Sequence, residues 1–176
     1  MSGFGIDEMV NRSAGDFEIK AFRKTFGGIK TGEAKTSPAF KHTKVKLIIH
    51  AVGPVFRDNA VRDKASVSVA ELDGLLARAY QAALGQAAEH GCKTVGFCLL
   101  SAGVFRGSRP LADVIMIGLR AMAADARPPL REIAVFAFSK EEQVCGQAVF
   151  RDFVEHWQLA HIKFLTAGLN LQIQLF

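Results

Sequence analysis

Between Thr94 and Gly107 the chain reads T-V-G-F-C-L-L-S-A-G-V-F-R-G, an apolar strand that stops in a loop nearly free of side chains. Val95, Phe97, Leu99 and Leu100 form a short apolar run with helix-like sequence on either side, the pattern of a central parallel strand covered on both faces. Ser101, Ala102 and Gly103 then leave the backbone almost bare. Where a parallel strand passes into a helix, such a loop lets backbone N–H groups approach an anion closely. It suits equally well a tight turn whose small residues serve packing, and these residues alone do not separate the two readings.

With 176 residues, 49% of them hydrophobic, the chain has enough apolar surface for one domain with a substantial core. No apolar run approaches the roughly 18 residues needed to cross a bilayer. Met1-Ser2-Gly3-Phe4 has neither a charged nor an apolar leader character, so the expectation is a soluble, cytoplasmic protein. Cys92, Cys98 and Cys145 are an odd number without C-x-x-C spacing, which predicts reduced thiols and neither a disulfide framework nor a metal site. The formal charge of +5 favours an anionic ligand in general terms. Its spread, with only a modest cluster at Lys41, Lys44 and Lys46, lacks the dense basic run that would argue for nucleic acid.

Residues 3–15 open with glycines and a helix-compatible stretch, and 16–26 continue in helical style until Gly27-Gly28. A short strand is predicted over 30–36, followed by Pro38 and a basic turn, and a second over 45–52, closed by Gly53-Pro54. Residues 57–69 read as a polar connection. Leu72, Leu75, Leu76, Ala79, Tyr80, Ala83, Leu84, Ala87 and Ala88 share one helical face that must pack on a sheet. Further helices are predicted over 110–125 and 141–158, with a strand at 132–138 between them. Alternating strands and helices imply an α/β fold, a three-layer α/β/α sandwich on a mostly parallel, mixed sheet. Ligands of such sheets bind beyond the carboxyl ends of the strands, where the Ser101–Gly107 loop lies. Residues 168–176 alternate apolar and polar with period two, the pattern of one more strand in this chain or a partner's.

Several stretches, taken in chain order, resemble the macro domain, the ADP-ribose-binding family. Gly3-Phe4-Gly5-Ile6-Asp7 is similar to its G-G-G-V-D loop and Arg12-Ser13-Ala14-Gly15 to the R-A-A-G that follows. Thr31-Gly32-Glu33-Ala34 matches T-G-E-A, and Ile48-Ile49-His50-Ala51-Val52-Gly53-Pro54 matches the I-I-H-A-V-G-P strand end. Ala88-Glu89-His90-Gly91 and Ser101-Ala102-Gly103-Val104-Phe105 resemble the A-E-H-G helix end and the S-T-G-V-Y phosphate loop. Each motif is weak alone; in family order and at fitting separations they make the resemblance specific.

The resemblance implies a macro-like domain over 1–160 and a cleft for ADP-ribose or an ADP-ribosylated protein; residues 161–176 form a C-terminal extension that is read either as an extra strand or as a surface-laid segment. Gly5, Ile6 and Asp7 would line one side of that cleft and Ser101, Ala102, Gly103, Val104 and Phe105 the other, with backbone N–H donors around the diphosphate. Phe105 replaces a tyrosine and keeps an aromatic wall for the distal ribose. Arg106 stands where a glycine is usual; it would either add a charge-assisted contact to phosphate or obstruct the cleft, and contact is the preferred expectation. In hydrolytic members the loop aspartate orients or activates a water at the anomeric carbon, a role that falls on Asp7, which as a first-turn residue also suits the helix dipole. No cofactor is implied. His50 and His90 read as structural. In the family, opening strands, an adenine-reading aspartate and an N-A-A-N motif precede the first glycine loop, which here begins at Gly3. The expectation is loss of the usual adenine contact and of the asparagine that positions the distal ribose, which bears on both affinity and hydrolysis, and uncovered sheet edges open to self-association. A fold that has lost its ligand and acts through itself or a protein partner is the alternative.

Overall fold

The longest apolar stripe becomes the longest helix. Ser68 caps it: its hydroxyl accepts from the Glu71 amide while the Glu71 carboxylate accepts from the Ser68 amide at 2.7 Å. That reciprocal cap starts the helix at Val69, ahead of the first periodic leucine. The computed structural model describes residues 6–56, 67–157 and 162–166. In chain order these form α1 (Ile6–Ala14), α2 (Asp16–Lys24), β1 (Ala34–Pro38), β2 (Leu47–Ala51), α3 (Val69–Glu89), β3 (Thr94–Cys98), α4 (Leu111–Asp125), β4 (Glu132–Ala137), α5 (Lys140–Trp157) and β5 (Ile162–Thr166).

The described strands make two sheets. β1 and β2 pair antiparallel, with Ala34 opposite Ala51 and Pro38 opposite Leu47. β3, β4 and β5 run parallel in that order, joined by crossovers through α4 and α5 as parallel pairing requires. Along β4 the buried residues Ile133, Val135 and Ala137 alternate with half-buried ones. Leu76, Tyr80 and Leu84 of α3 share a core with Val114, Ile115, Leu119 and Met122 of α4, Phe97 of β3, Phe153 of α5 and Ile162 of β5. The α/β class is as the sequence implies.

Three details differ from the sequence reading or extend it. The first strand sits at 34–38 rather than 30–36, because Thr31-Gly32 form a turn: Gly32 takes φ +87° and its amide donates to Val52 O at 2.8 Å. Pro38 ends that strand, where its missing N–H is tolerated. β5 is a strand within the 161–176 extension, whereas the alternating stretch 168–176 and most of the 57–69 connection lie outside the described residues. Among the described residues, the second edges of β2 and β3 carry no partner strand. No described helix is long and apolar enough to cross a membrane.

Candidate functional site

The loop after β3 is held by buried groups and free at its tip. Leu100 N donates to the hydroxyl of Tyr80 at 2.8 Å, and Tyr80 is fully buried on α3. Burial pushes the Tyr80 phenol above its ordinary range, so it stays protonated. Ser101 adopts φ +56°, a left-handed conformation costing roughly 1–2 kcal/mol for a residue with a Cβ. Its hydroxyl donates to Pro54 O at 2.7 Å, tying the loop to the segment that follows β2. Gly53 is required there, since a Cβ would overlap Ser101 Oγ. Phe56 N donates to Phe105 O at 2.7 Å, and Arg106 N closes back on Gly103 O at 3.0 Å. Ala102 is buried, Gly103 exposed, and Val104 and Phe105 stand out at 71% and 52% exposure. Val55 and Phe138, the latter just past the carboxyl end of β4, are exposed apolar side chains as well. The loop thus combines a strained residue held by its neighbours with small residues and exposed backbone.

Arg106 is not free to swing. Its Nη2 pairs with Glu141 Oε1 at 2.9 Å, and its Nε is buried without a hydrogen-bond partner among the described residues. Behind the loop, Arg109 grips Asp73 through Nε and Nη2 and reaches Asp113 at 2.8 Å, joining α3 to the first turn of α4.

Asp7 lies in the first turn of α1, where a carboxylate meets the helix dipole favourably. Ile6 is half-buried beside it, and Gly5 falls outside the described residues. Asp7 Oδ1 accepts from Arg23 Nη2 at 2.8 Å and Oδ2 from Asn11 Nδ2 at 3.1 Å. Burial acts to raise its pKa, but the hydrogen bond and charge of Arg23, helped by Asn11, outweigh it and hold the carboxyl below its ordinary value. Arg23 Nε donates to His50 Nδ1 at 3.1 Å. An arginine cannot accept, so the proton of neutral His50 sits on Nε2 and is donated to Ser37 Oγ at 2.8 Å. Ser37 is therefore hydrogen-bonded as an acceptor and gains no base from His50; this pair is no nucleophile. His90, with Nδ1 on Gln86 O at 2.9 Å, caps the end of α3. Both histidines are thus hydrogen-bonded within the protein.

Burial first, then the Arg23 charge, push the pKa of His50 down to about 4 against a smaller opposing effect of Asp7. The same Asp7 charge adds to the rise of Cys98, whose thiol is pushed up to about 11 chiefly by burial. Asp7 thus acts electrostatically on His50 of β2 and on Cys98 of β3. A consequence can be measured. Unfolded His50 takes up a proton near pH 6.5 while the folded ring resists until about pH 4. Stability should therefore fall as pH drops through that window, by on the order of 1–2 kcal/mol once partial solvent screening is allowed for. Denaturant titrations between pH 7 and 4 should show this slope, and His50→Gln should flatten it; an equal slope in the variant would contradict the assignment.

The sequence pointed to the loop and to Asp7, and missed Tyr80, Arg23 and Asn11 as their supports. A polar-tipped tyrosine on an apolar helical face was a usable signal for Tyr80. Nothing local marks Arg23, whose partners lie 16 and 27 residues away. Among the described residues no group of three or more histidine, cysteine or acidic side chains is placed to hold a metal ion.

The macro domain family model matches residues 1–116. A macro domain-containing protein of Lactiplantibacillus plantarum is 32% identical over 146 residues, 81% of this chain and 77% of the relative. A protein-ADP-ribose hydrolase of Treponema medium is 40% identical over a shorter stretch, 76 residues, 43% of this chain and 26% of that protein. Among solved structures, a mutant macrodomain of Oceanobacillus iheyensis with ADPR superposes with a TM-score of 0.70 at 22% identity, covering 88% of this chain and 81% of its own.

Proposed function

The chain belongs to the macro domain family, and from that premise we propose that it binds ADP-ribose, free or attached to protein, and hydrolyses the attachment with the help of Asp7. The observation that carries the reading is the loop at 101–105. Its ends are fixed by Tyr80, Pro54 and Phe56, and its middle is an exposed glycine with no heavy atom within 4 Å of where a Cβ would stand. Backbone N–H groups at the carboxyl end of a parallel strand give a diphosphate charge-assisted hydrogen bonds worth about 1.5–3 kcal/mol each. The exposed faces of Phe105 and Phe138 offer stacking surface for a ribose or a base, about 1–3 kcal/mol for a stacked base. Ile6 and Asp7 close the opposite side, and Arg106, held by Glu141, contributes positive potential behind the phosphates.

For hydrolysis, water forms a new bond to the anomeric carbon and the bond to the modified side chain breaks, its electron pair leaving with that side chain. Asp7 is a weak base because Arg23 and Asn11 hold it ionised. It therefore acts mainly by orienting the water, whose proton ends on the departing group or on bulk solvent. Asp7→Ala is expected to slow release of ADP-ribose from a modified protein by about 100-fold, within the range of a positioned acid–base group. Affinity for ADP-ribose should change by less than about threefold. Unchanged turnover would remove Asp7 from the chemistry, and no turnover in the unmodified chain would leave a binder.

A second reading has its own observation. Among the described residues one edge each of β2 and β3 has no partner strand, and these edges suit pairing with another chain, which would make self-association the function. A purified chain that is oligomeric and ignores ADP-ribose would favour it.

A further inference from the structure

We propose that Arg23 is a positioning residue for Asp7, its guanidinium bridging the carboxylate on α1 and the His50 ring on β2 so that the carboxylate keeps one orientation over the junction of the two sheets. The catalytic consequence rests on the functional reading above; the geometry does not. Arg23 divides one edge of its planar fork between two partners: Nη2 meets Asp7 Oδ1 at 2.8 Å and Nε meets His50 Nδ1 at 3.1 Å. Both contacts at once fix the plane of the guanidinium. His50 is anchored in turn by Ser37 Oγ at 2.8 Å and by the edge of Phe26, 5.7 Å between ring centres. The frame behind Arg23 is therefore β1 and β2 themselves.

Asp7 is gripped from two directions. Asn11, one turn along α1 and only 5% exposed, holds Oδ2, and Arg23, from α2, holds Oδ1. Rotation of the carboxylate would break one bond or the other. Its outer face, 62% exposed, remains open to a ligand or water. The groups acting on Asp7 are Arg23 from α2, Asn11 from α1 and His50 from β2, with Cys98 of β3 within electrostatic range. Arg23 is the cation among them, because His50 is neutral at physiological pH. An exposed ion pair of this type adds little stability on average. Its value here is orientation, and a lysine, a point charge on a flexible stem, cannot make both contacts.

The test uses Arg23→Gln and Arg23→Lys in the full chain, checked for cooperative melting. Long-range proton–nitrogen spectra of the imidazole report the His50 tautomer, and carbon-detected titration reports the Asp7 carboxyl. In the unmodified chain His50 should be the Nε2–H tautomer alone. Arg23→Gln should mix the tautomers and raise the Asp7 pKa, because the hydrogen bond and charge that hold it down are lost. Arg23→Lys should keep the carboxyl low and still mix the tautomers. On a mono-ADP-ribosylated protein, Arg23→Gln should lower kcat at least about tenfold with ADP-ribose affinity within about threefold, as expected when orientation rather than binding is lost. Arg23→Lys should recover part of that rate. An unmixed tautomer and an unmoved carboxyl in Arg23→Gln would overturn the bridge, and a loss shared equally by kcat and affinity would overturn the positioning role. The spectra need no turnover. If the unmodified chain releases no ADP-ribose, the hydrolytic reading fails and the bridge is judged on the spectra.

Discussion

Gly103→Val is expected to cut affinity for ADP-ribose by about 100-fold or more while moving the melting temperature by no more than about 2 °C. Both halves come from the same geometry. Gly103 is exposed, its φ lies outside the left-handed range, and nothing stands within 4 Å of the position a Cβ would take. The Cβ of a valine therefore meets no protein atom beyond its chain neighbours in the unliganded chain. It would meet the ligand, because a diphosphate that hydrogen-bonds to the loop amides must lie against that bare backbone. Losing two such bonds, at about 1.5–3 kcal/mol each, more than accounts for a factor of one hundred. Calorimetric titration and thermal melting of the variant check the two halves separately. Unchanged affinity would mean that the loop does not hold the ligand, and a collapsed melting temperature would mean that the site's openness has been misjudged.

Gly118→Val is expected to destabilise the fold by about 3 kcal/mol or more. Helix propensity alone argues the other way, since replacing a mid-helix glycine normally gains up to about 1 kcal/mol. The sign is decided by Tyr80. A Cβ at Gly118 would stand 2.8 Å from the ring's Cζ and 3.1 Å from its hydroxyl, and the ring is fully buried between α3 and α4. Tyr80 cannot retreat without releasing Leu100 N, which enters the candidate loop. The variant should therefore lose ligand affinity along with stability. Urea titration gives the first and calorimetry the second. A variant as stable as the parent would show that α3 and α4 can separate at little cost.

Much of this was legible because the forces involved are local. The stripe from Leu72 to Ala88 names a helix through its period, and the bare Ser101-Ala102-Gly103 after an apolar run names a loop at a strand's end. What stayed hidden depends on distant partners. Ser101 takes its left-handed conformation against Pro54, 47 residues away, and no property of serine announces that. The bridge from Asp7 through Arg23 to His50 joins three segments whose charges look like ordinary surface in the sequence. β5 was anticipated only as a strand somewhere in 161–176, for a related reason: Ile162–Thr166 has no clean alternation, and pairing with β4 makes it a strand. The tail at 168–176 does alternate and drew the expectation past it. Pro38 looked like a terminator and is the last residue of a strand, since at that place its missing N–H does no harm.

The most direct test is isothermal titration of the purified chain with ADP-ribose, with AMP as the comparison. Micromolar one-to-one binding of ADP-ribose, with AMP at least about tenfold weaker, is the predicted result, a gap of about 1.4 kcal/mol or more. It would mean that the exposed loop at 101–105 reads the diphosphate and distal ribose. A folded sample that gives no heat with ADP-ribose, or that binds AMP equally well, would contradict the account.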